Sequence, residues 1–435
     1  MNKLFRFLYL SLAFFLYYGC ENEENIDFEV YPLEINIEGT GGIAKMHIAA
    51  EGKWATDSTP NWFKILPVSG YGSTEAEVVI SPNQDTTSRS YKLRIYNTTD
   101  TATLIVNQKA SRGYADGEVL IYEKNTTTKA SNLVFLGDGF VAKELWPRGV
   151  YYQAMQEGIE AFFNVEPYKS YREYFNIYIV IAESQEGGAG SQSETKNTAF
   201  GAKYTEGSGM EVNSEKVFNY TLKIPDITDE ILPKTTVVVI VNATKYGGTT
   251  IMYDDGKAIA IVPMNRAKRL PGGFANILVH EAGGHGFGGL ADEYTSGAAE
   301  KYPLKDLEGW FEKGFYSNIS TIPDTAFIKW KEFFKLSGYE AVGVFEGGYY
   351  RPKGVWRPEK NSCMNDNSQY FNAPSRMAIV KRIMKNAGEN FILEKFINKD
   401  IIKNPPTGRS PVHPIPYKSV EDFTPLGPPI LIKTK

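Results

Sequence analysis

The chain has 435 residues, of which 42% are hydrophobic and 13% aromatic, and it carries a formal net charge of −4 with a pI near 5.8. This length suffices for two or three domains, each with an apolar core of its own. The net negative charge, and the lack of a cluster of basic residues in the sequence, argue against nucleic acid as a partner.

The N terminus predicts export and lipid attachment. An apolar run, Phe7–Tyr18, follows basic residues and is too short to span a bilayer, so residues 1–19 are interpreted as a signal peptide. The Gly-Cys pair ending at Cys20 resembles a bacterial lipobox, which implies attachment to the membrane through a lipid on Cys20. We therefore expect a secreted protein, lipid-anchored to the bacterial outer membrane or cell surface, with residues 20–27 as a linker. A plain signal peptide is the alternative.

Residues 28–110 predict an all-β domain. Short apolar runs of strand length alternate with Gly, Asn, Asp and Pro, and this spacing favours an immunoglobulin-like sandwich. A resemblance to the BACON domain is carried by Trp54, Trp62-Phe63, Pro67–Gly72, Asn83, Arg89 and Val106-Asn107-Gln108. The resemblance implies a possible glycan contact through Trp54 and Trp62. We favour the alternative, in which both tryptophans pack in the core of a spacer or adhesion module.

Residues 111–435 change to a mixed α/β pattern. Strands are predicted at Leu133–Leu136, Asn176–Ile181, Thr236–Val241 and Ala258–Val262, and helices at Tyr151–Phe163, from near Gly273 onward, and at Ser375–Asn386. The last 35 residues hold eight of the chain's 23 prolines, which predicts an extended strap across the domain surface.

The main functional evidence is the stretch His280-Glu281-Ala282-Gly283-Gly284-His285, which holds two of the chain's four histidines. Neutral imidazoles beside a glutamate are what a catalytic zinc site requires. On a regular α-helix, two residues five apart diverge by about 140°, at roughly 100° per residue. One extra residue accommodated as a π-bulge would restore a common face, and Gly283 and Gly284 ease that distortion. The alternative is a Gly-rich helix end with two solvated histidines.

A zinc hydrolase needs three protein ligands and a general base. His280 and His285 supply two ligands, and Glu281 is placed to take a proton from the attacking water. Asp292 or Glu293 is the third ligand, because Gly288-Gly289 let the chain end its helix and turn back towards the metal. Of the two, Asp292 is favoured. The alternative is that these acids are solvated or only orient a histidine. We expect the two histidines to line a cleft.

Other residues of the second domain have two interpretations each. Met364 resembles the methionine of the turn beneath the metal in metzincin-type proteases, although many core methionines pack similarly. Cys363 is interpreted as a buried structural thiol rather than a zinc thiolate, and it has no disulfide partner if Cys20 is acylated. In the Gly-rich loop Gly347-Gly348-Tyr349-Tyr350-Arg351, a tyrosine hydroxyl either stabilises an oxyanion or packs. Asp138 is interpreted as a turn or helix cap.

Residues 115 to about 430 resemble the zinc peptidase family typified by a bacterial IgA protease. The resemblance is carried by Leu136–Phe140, Phe162-Phe163, Glu166-Pro167-Tyr168, Tyr174–Tyr178, the histidine motif with Gly288–Tyr294, Arg357-Pro358 and Ser362-Cys363-Met364. It implies a secreted endopeptidase with a metzincin-like α/β fold, in which a twisted mixed sheet carries an active-site helix. This chain has one residue more between its histidines than the family's commoner H-E-x-x-H form.

The sequence therefore predicts a surface-anchored bacterial endopeptidase that uses Zn²⁺, bound by His280, His285 and Asp292, with Glu281 as general base. Its substrates would be secreted or host proteins, and IgA does not follow from the resemblance. The alternative is a glycan- or protein-binding surface lipoprotein with an inactive peptidase-like domain.

Overall fold

The computed structural model describes residues 27–125, 130–265, 273–295, 303–405 and 425–434. The predicted signal peptide 1–19, Cys20 and most of the predicted linker lie outside the described residues. Among the residues described, no helix is both long enough and apolar enough to cross a membrane.

The secondary structure elements are numbered in chain order. The strands are β1 Glu29–Tyr31, β2 Glu34–Ile37, β3 Gly42–Ala49, β4 Lys53–Thr56, β5 Phe63–Leu66, β6 Ser69–Tyr71, β7 Thr74–Ile80, β8 Arg89–Tyr96, β9 Thr101–Gln108, β10 Val119–Glu123, β11 Ser131–Asp138, β12 Phe175–Val180, β13 Lys203–Tyr204, β14 Met210–Glu211, β15 Thr235–Val241, β16 Thr249–Tyr253, β17 Ala258–Pro263, β18 Phe345–Gly348, β19 Arg351–Arg357 and β20 Ile430–Ile432. The helices are α1 Val150–Phe163, α2 Ser214–Thr221, α3 Phe274–Leu278, α4 Lys305–Glu312, α5 Cys363–Asp366, α6 Ala373–Ala387 and α7 Leu393–Lys399. A π-helix, Val279–Phe287, continues α3, and 3₁₀ turns lie at Ala142–Glu144, Arg172–Tyr174, Leu232–Lys234 and Lys331–Lys335.

The N-terminal region is β-rich, as predicted. Its strands form a four-stranded sheet, β1-β3-β7-β5, and a five-stranded sheet, β2-β9-β8-β4-β6. Buried residues alternate with more exposed ones from Leu93 along β8 and from Leu104 along β9, because one face of these antiparallel strands meets the core and the other meets solvent. Both sheets contribute to one apolar core, which includes Ile48, Val78, Leu93, Ile95, Leu104 and Val106.

The two tryptophans of this region have packing roles. Trp54 is buried, and its indole nitrogen donates a hydrogen bond to the backbone oxygen of Gly72 at 3.1 Å. The guanidinium of Arg89 lies 4.5 Å from the centre of the Trp62 ring, and its Nε donates to Gln108 Oε1 at 2.8 Å. Because Trp54 is buried and one face of Trp62 is covered, these contacts favour the packing interpretation over a glycan platform.

The later α/β region is built on a seven-stranded mixed sheet of order β10-β12-β11-β15-β17-β16-β20. The four central strands, β12, β11, β15 and β17, run parallel, whereas β10 and β16 are antiparallel to their neighbours. All four predicted strands of this region are confirmed and form its centre. They are buried along their whole length, as expected for parallel strands covered on both faces.

Successive side chains of the central strands point to opposite faces of the sheet, and each face has its own core. Leu133, Phe135, Val238 and Ile240 face helices α1, α3 and α6. On the other face, Val134, Leu136, Val237 and Val239 pack with Val217 of α2 and with surrounding loops. The histidine-bearing helix therefore lies on a fully buried sheet face and runs beside β15, β16 and β17. The predicted helices near Gly273 and at Ser375–Asn386 are confirmed.

Candidate metal centre

The histidines lie on the π-helix Val279–Phe287, which follows α3 without a break. The amide of Gly288 donates to the backbone oxygen of Gly283 at 2.9 Å, five residues back, as the wider turn of a π-helix requires. Residues five apart then share a face. The rings of His280 and His285 lie 4.8 Å apart between centroids, with an interplanar angle of 84°. The predicted distortion is confirmed.

Two side chains from distant elements bond the carbonyls of this helix. The buried Tyr168 donates its hydroxyl to the backbone oxygen of Gly283 at 2.6 Å. The guanidinium of Arg382, on α6, donates to the backbone oxygen of Phe287 at 2.6 Å. Burial lowers the pKa of Arg382 to about 10, so it stays cationic at neutral pH and complements the negative end of the helix dipole. Arg382 was not singled out from the sequence, since no local pattern connects it to the histidines.

Met364 packs beneath the helix between the histidines. A methyl group built on Gly284 would lie 2.1 Å from its sulfur, so only glycine permits this approach. Met364 belongs to the one-turn helix α5, in which the Ser362 hydroxyl accepts a hydrogen bond from the Met364 amide at 3.3 Å. The residue that resembles the metzincin methionine therefore contacts the helix at the level of the site.

The tautomers of both histidines follow from their backbone partners. Nδ1 of His280 lies 3.0 Å from the backbone oxygen of Cys363, and Nδ1 of His285 lies 2.8 Å from that of Leu290. A carbonyl oxygen only accepts, so in the neutral ring Nδ1 carries the proton and Nε2 presents a lone pair. The contribution of Cys363 is thus its carbonyl, while its thiol is buried, which raises the pKa of that thiol well above its ordinary value.

Both lone pairs face the same carboxylate oxygen. Oδ1 of Asp292 lies 3.1 Å from Nε2 of His280 and 3.3 Å from Nε2 of His285. These three atoms are buried and have no hydrogen-bond partner. Within the part of the chain that the structure describes, the three side chains form the one group of His, Cys, Asp and Glu residues with converging ligand atoms.

Three acceptor atoms without a proton between them repel one another unless a cation lies at their centre. Two imidazole nitrogens and a carboxylate oxygen are donors that zinc accepts readily. A tetrahedral ion with bonds of roughly 2.0–2.1 Å holds its donors roughly 3.3 Å apart, close to the separations here. The residues present therefore fit a divalent metal ion of zinc's size.

The second oxygen of Asp292 is held by a pair of tyrosines. The hydroxyl of Tyr350 lies 2.7 Å from Oδ2 of Asp292 and 3.0 Å from the hydroxyl of Tyr294. Tyr350 has φ 62 in the turn between β18 and β19, and its amide bonds the backbone oxygen of Tyr294 at 3.0 Å. A bulky residue in this left-handed region is strained, and docking of the hairpin on the Asp292 segment offsets that strain. Burial raises the pKa of both tyrosines, so they remain hydrogen-bond donors.

Glu281 lies beside this cluster and is fully buried. The hydroxyl of Thr250, on β16, lies 2.6 Å from Oε2 of Glu281, while Oε1 has no hydrogen-bond partner. Burial raises the pKa of Glu281 to about 7, against the opposing effects of His280 and the Thr250 hydroxyl. A carboxyl group with a pKa near neutrality is suited to accept and return a proton. Thr250 was missed because β16 itself was not predicted, although its β-branched run Thr249-Thr250-Ile251 is typical of a strand.

Other candidates from the sequence lie elsewhere. Oε1 of Glu293 accepts from the side-chain amides of Asn318 at 2.8 Å and Asn372 at 2.7 Å, away from the imidazoles. Burial raises the pKa of Glu293 to about 8. Asp138 is buried and accepts hydrogen bonds from the amides of Phe200 and Ala202, so it organises a loop.

The expected cleft is not open to solvent, because His280, Glu281 and His285 are 0% exposed and Asp292 is 1% exposed. The tyrosines next to Asp292 bond the backbone oxygen of Leu426, near the C-terminal end of the chain. Gly289, with φ 61, turns the chain after the π-helix and brings Asp292 back to the imidazoles, as the glycine pair predicted.

Two imidazoles, a carboxylate and an adjacent buried glutamate on one sheet face define the class of metal-dependent hydrolases. The model of the family described as IgA Peptidase M64, a family of metallopeptidases, matches residues 119–338, just over half of the chain. The chain therefore belongs to the IgA peptidase M64 family.

Several solved structures are similar to parts of the chain. Metalloproteinase-II from Bacteroides fragilis is 10% identical, with 59% of this chain and 76% of that chain covered and a TM-score of 0.21. A GH5 xyloglucanase from Bacteroides ovatus is 14% identical over 49% of this chain and 45% of that chain, with a TM-score of 0.20. SSP-19, an MSP-domain protein like family member in Caenorhabditis elegans, is 15% identical over 19% of this chain and 98% of that chain, with a TM-score of 0.17. These scores are too low to carry an argument. No curated protein matches the chain.

Proposed function

We propose that the protein is a zinc-dependent endopeptidase, with His280, His285 and Asp292 as metal ligands and Glu281 as general base. The observation that carries this proposal is the convergence of three buried acceptor atoms, 3.1 Å and 3.3 Å apart, with no proton to share. Membership of a peptidase family supports a protein or peptide as the substrate. Cleavage within secreted or host proteins, rather than at chain ends, is part of the proposal.

The residues have separable tasks in this chemistry. Bound zinc supplies Lewis acidity to a carbonyl oxygen and increases the acidity of an attacking water. Glu281 takes the proton of that water at its carboxylate and returns it to the nitrogen of the departing peptide. Thr250 fixes the orientation of the Glu281 carboxylate through its 2.6 Å hydrogen bond. Tyr350 fixes Asp292 through Oδ2 and leaves Oδ1 directed at the imidazoles.

The fold and location of the protein extend the proposal. The α/β region would be metzincin-like, with Met364 as its turn methionine, and the N-terminal sheets an immunoglobulin-like spacer. A lipid on Cys20 would hold the enzyme at the bacterial outer membrane or cell surface. Only the sequence pattern of residues 1–20 supports this anchor. Mass spectrometry of the N-terminal peptide from native membranes tests it, and an unmodified Cys20 there would remove the anchor from the proposal.

The substitution Glu281→Gln tests the proposed chemistry. Glutamine keeps the shape of the side chain and leaves the three ligands in place, but it cannot accept the proton. We expect about one zinc per chain to be retained and proteolysis of a protein mixture to fall by about 10²- to 10⁴-fold. Glu308→Gln, at an exposed position on α4, is the matched control and should behave as the wild type. Undiminished proteolysis by Glu281→Gln would remove Glu281 from its role.

A further inference from the structure

Most of the predicted strap, residues 406–424, lies outside the described residues. Its described end, residues 425–434, is here called the C-terminal strap and reaches the candidate metal centre. The backbone oxygen of Leu426 accepts a hydrogen bond from the hydroxyl of Tyr294 at 2.8 Å and lies 3.4 Å from that of Tyr350. Tyr350 in turn lies 2.7 Å from Asp292. A single tyrosine hydroxyl thus separates the main chain of the strap from a proposed metal ligand.

The strap also covers the edge of the sheet beside the proposed general base. Its strand β20 pairs in parallel with β16, with Ile251 opposite Ile430 and Tyr253 opposite Ile432. The amide of Gly427 donates to the hydroxyl of Ser208 at 3.2 Å. Since β16 also carries Thr250, the strap occupies the outer edge of the strand that orients Glu281.

An unpaired strand edge beside a peptidase site is the place where an extended peptide binds, because main-chain groups pair there whatever the side chains are. In this structure the strap takes those main-chain groups. Glu281 is 0% exposed, and Leu426, a member of the same apolar core as the helix residues Val279 and Ala282, is 2% exposed. A substrate peptide therefore pairs along this edge of β16 only after the strap has left it.

We propose that the C-terminal strap is a built-in occupant of the substrate groove, which holds the enzyme closed until it is displaced. This inference rests on the proposed function and deepens it. The substrate it implies is an unfolded or extended segment of protein, which pairs along β16 once the strap has left.

The strap is suited to leave its groove. Pro425, Pro428 and Pro429 have no amide hydrogen, so this part of the strap donates few hydrogen bonds to its neighbours. Its strand is only three residues long, and Ile430 is 44% exposed. Beyond β20, the hydroxyl of Thr434 bonds Asp254 at 2.5 Å and anchors the end of the strap.

The substitution Leu426→Asp tests the proposal in the full-length, zinc-loaded protein. A carboxylate at this buried position is strongly unfavourable, which drives the strap out of the groove. Phe327→Asp introduces the same charge at a position that is 72% exposed and outside the strap, so it is the matched control. Two rates are measured, namely transfer of zinc to a chromophoric chelator and hydrolysis of a denatured protein.

We expect both rates to rise at least about tenfold in Leu426→Asp and to be unchanged in Phe327→Asp. A synthetic peptide of sequence 425–434 should slow hydrolysis by Leu426→Asp. If circular dichroism shows that Leu426→Asp does not fold, two milder substitutions take its place. Ser208→Ala and Thr434→Val each remove one side-chain hydrogen bond that holds the strap. Both rates should then rise by a smaller factor.

The possible outcomes test the role of the strap separately from the proposed catalytic function. Equal zinc-transfer rates in the wild type and in the folded strap variants would overturn the proposal. Faster zinc transfer without proteolysis in any variant would uphold the strap as a cover and reject the proposed function. Cleavage of the wild-type chain between Leu426 and Gly427, seen by intact mass, would overturn the proposal because the strap would then be a substrate.

Discussion

Nε2 of His285 lies 3.3 Å from Oδ1 of Asp292, although the proton of this imidazole is on the opposite nitrogen, where it bonds the backbone oxygen of Leu290. His280 repeats the arrangement with the backbone oxygen of Cys363. Fixed tautomers of this kind direct lone pairs at a metal ion. The carbonyl partners of the rings, as much as the rings themselves, define the site.

The first prediction separates the two neighbouring acids. Asp292→Asn removes a charged donor from the cluster, and we expect zinc affinity to fall by at least about 100-fold, as measured by competition with a chelator. Glu293→Gln should keep the wild-type affinity within about tenfold, because Glu293 bonds two asparagines rather than the imidazoles. The reverse order of affinities would identify Glu293 as the ligand.

A second prediction concerns the glycine above Met364. Gly284→Ala places a methyl group 2.1 Å from the methionine sulfur, and we expect the free energy of unfolding to fall by about 1–3 kcal/mol. Gly309→Ala is the control, because its added methyl group on α4 has no atom within 4 Å apart from its chain neighbours and the backbone of its own helix. It should stabilise the protein by about 0.5–1 kcal/mol through helix propensity. Denaturant unfolding measures the free energy of unfolding of both variants. Equal changes in the two variants would contradict the close packing of Met364 against Gly284.

A third prediction follows from the pKa of Glu281, which burial raises to about 7. The base acts when ionised, and a bound cation favours the charged carboxylate, so kcat/KM should rise with pH as Glu281 ionises, at or below this value. Thr250→Val removes a donor that favours the charged carboxylate, which raises the pKa of Glu281 further and moves the acidic limb up by about one pH unit. Thr250→Ser keeps the hydroxyl and should keep the wild-type profile. If the acidic limb of the kcat/KM profile of Thr250→Val stays at the wild-type pH, Thr250 does not change the pKa of Glu281.

A fourth prediction uses the pKa of Glu293, which burial raises from 4.5 to about 8. Between these values the folded chain binds more protons than the unfolded chain, so this residue makes stability fall as pH rises. The side chain of the Glu293→Gln variant cannot ionise, so its stability lacks this dependence on pH. In chelator-treated protein, the Tm of Glu293→Gln relative to the wild type should therefore increase from pH 5 to pH 8. A difference in Tm that does not change with pH would contradict the buried, protonated state.

The local parts of the site could be predicted from the sequence. The i, i+5 spacing of His280 and His285 with two glycines between them predicted a π-bulge, because a regular α-helix does not bring such residues to one face, and the structure has a π-helix there. The glycine pair after the motif likewise predicted the return of the chain to Asp292. Central strands were predicted because parallel strands are apolar throughout, a pattern visible over a few residues.

The long-range parts of the site could not be predicted. Tyr350 lies 58 residues from Asp292 along the chain, and Leu426 lies 132 residues from Tyr294. Arg382 reaches Phe287 from a separate helix. No periodicity connects such pairs, since they meet only after the sheet and its helices are assembled. Burial of the site was missed for the same reason, because side chains that contact it, such as Tyr350 and Thr250, come from other parts of the chain.

X-ray absorption at the zinc edge of the purified full-length chain tests the central claim most directly. About one zinc per chain is expected, with nitrogen and oxygen neighbours at about 2.0–2.1 Å and two of them imidazoles. The same spectrum of His285→Ala should lose one imidazole contribution. A protein that binds no metal, or a spectrum with a sulfur neighbour at about 2.3 Å, would contradict a centre built from His280, His285 and Asp292.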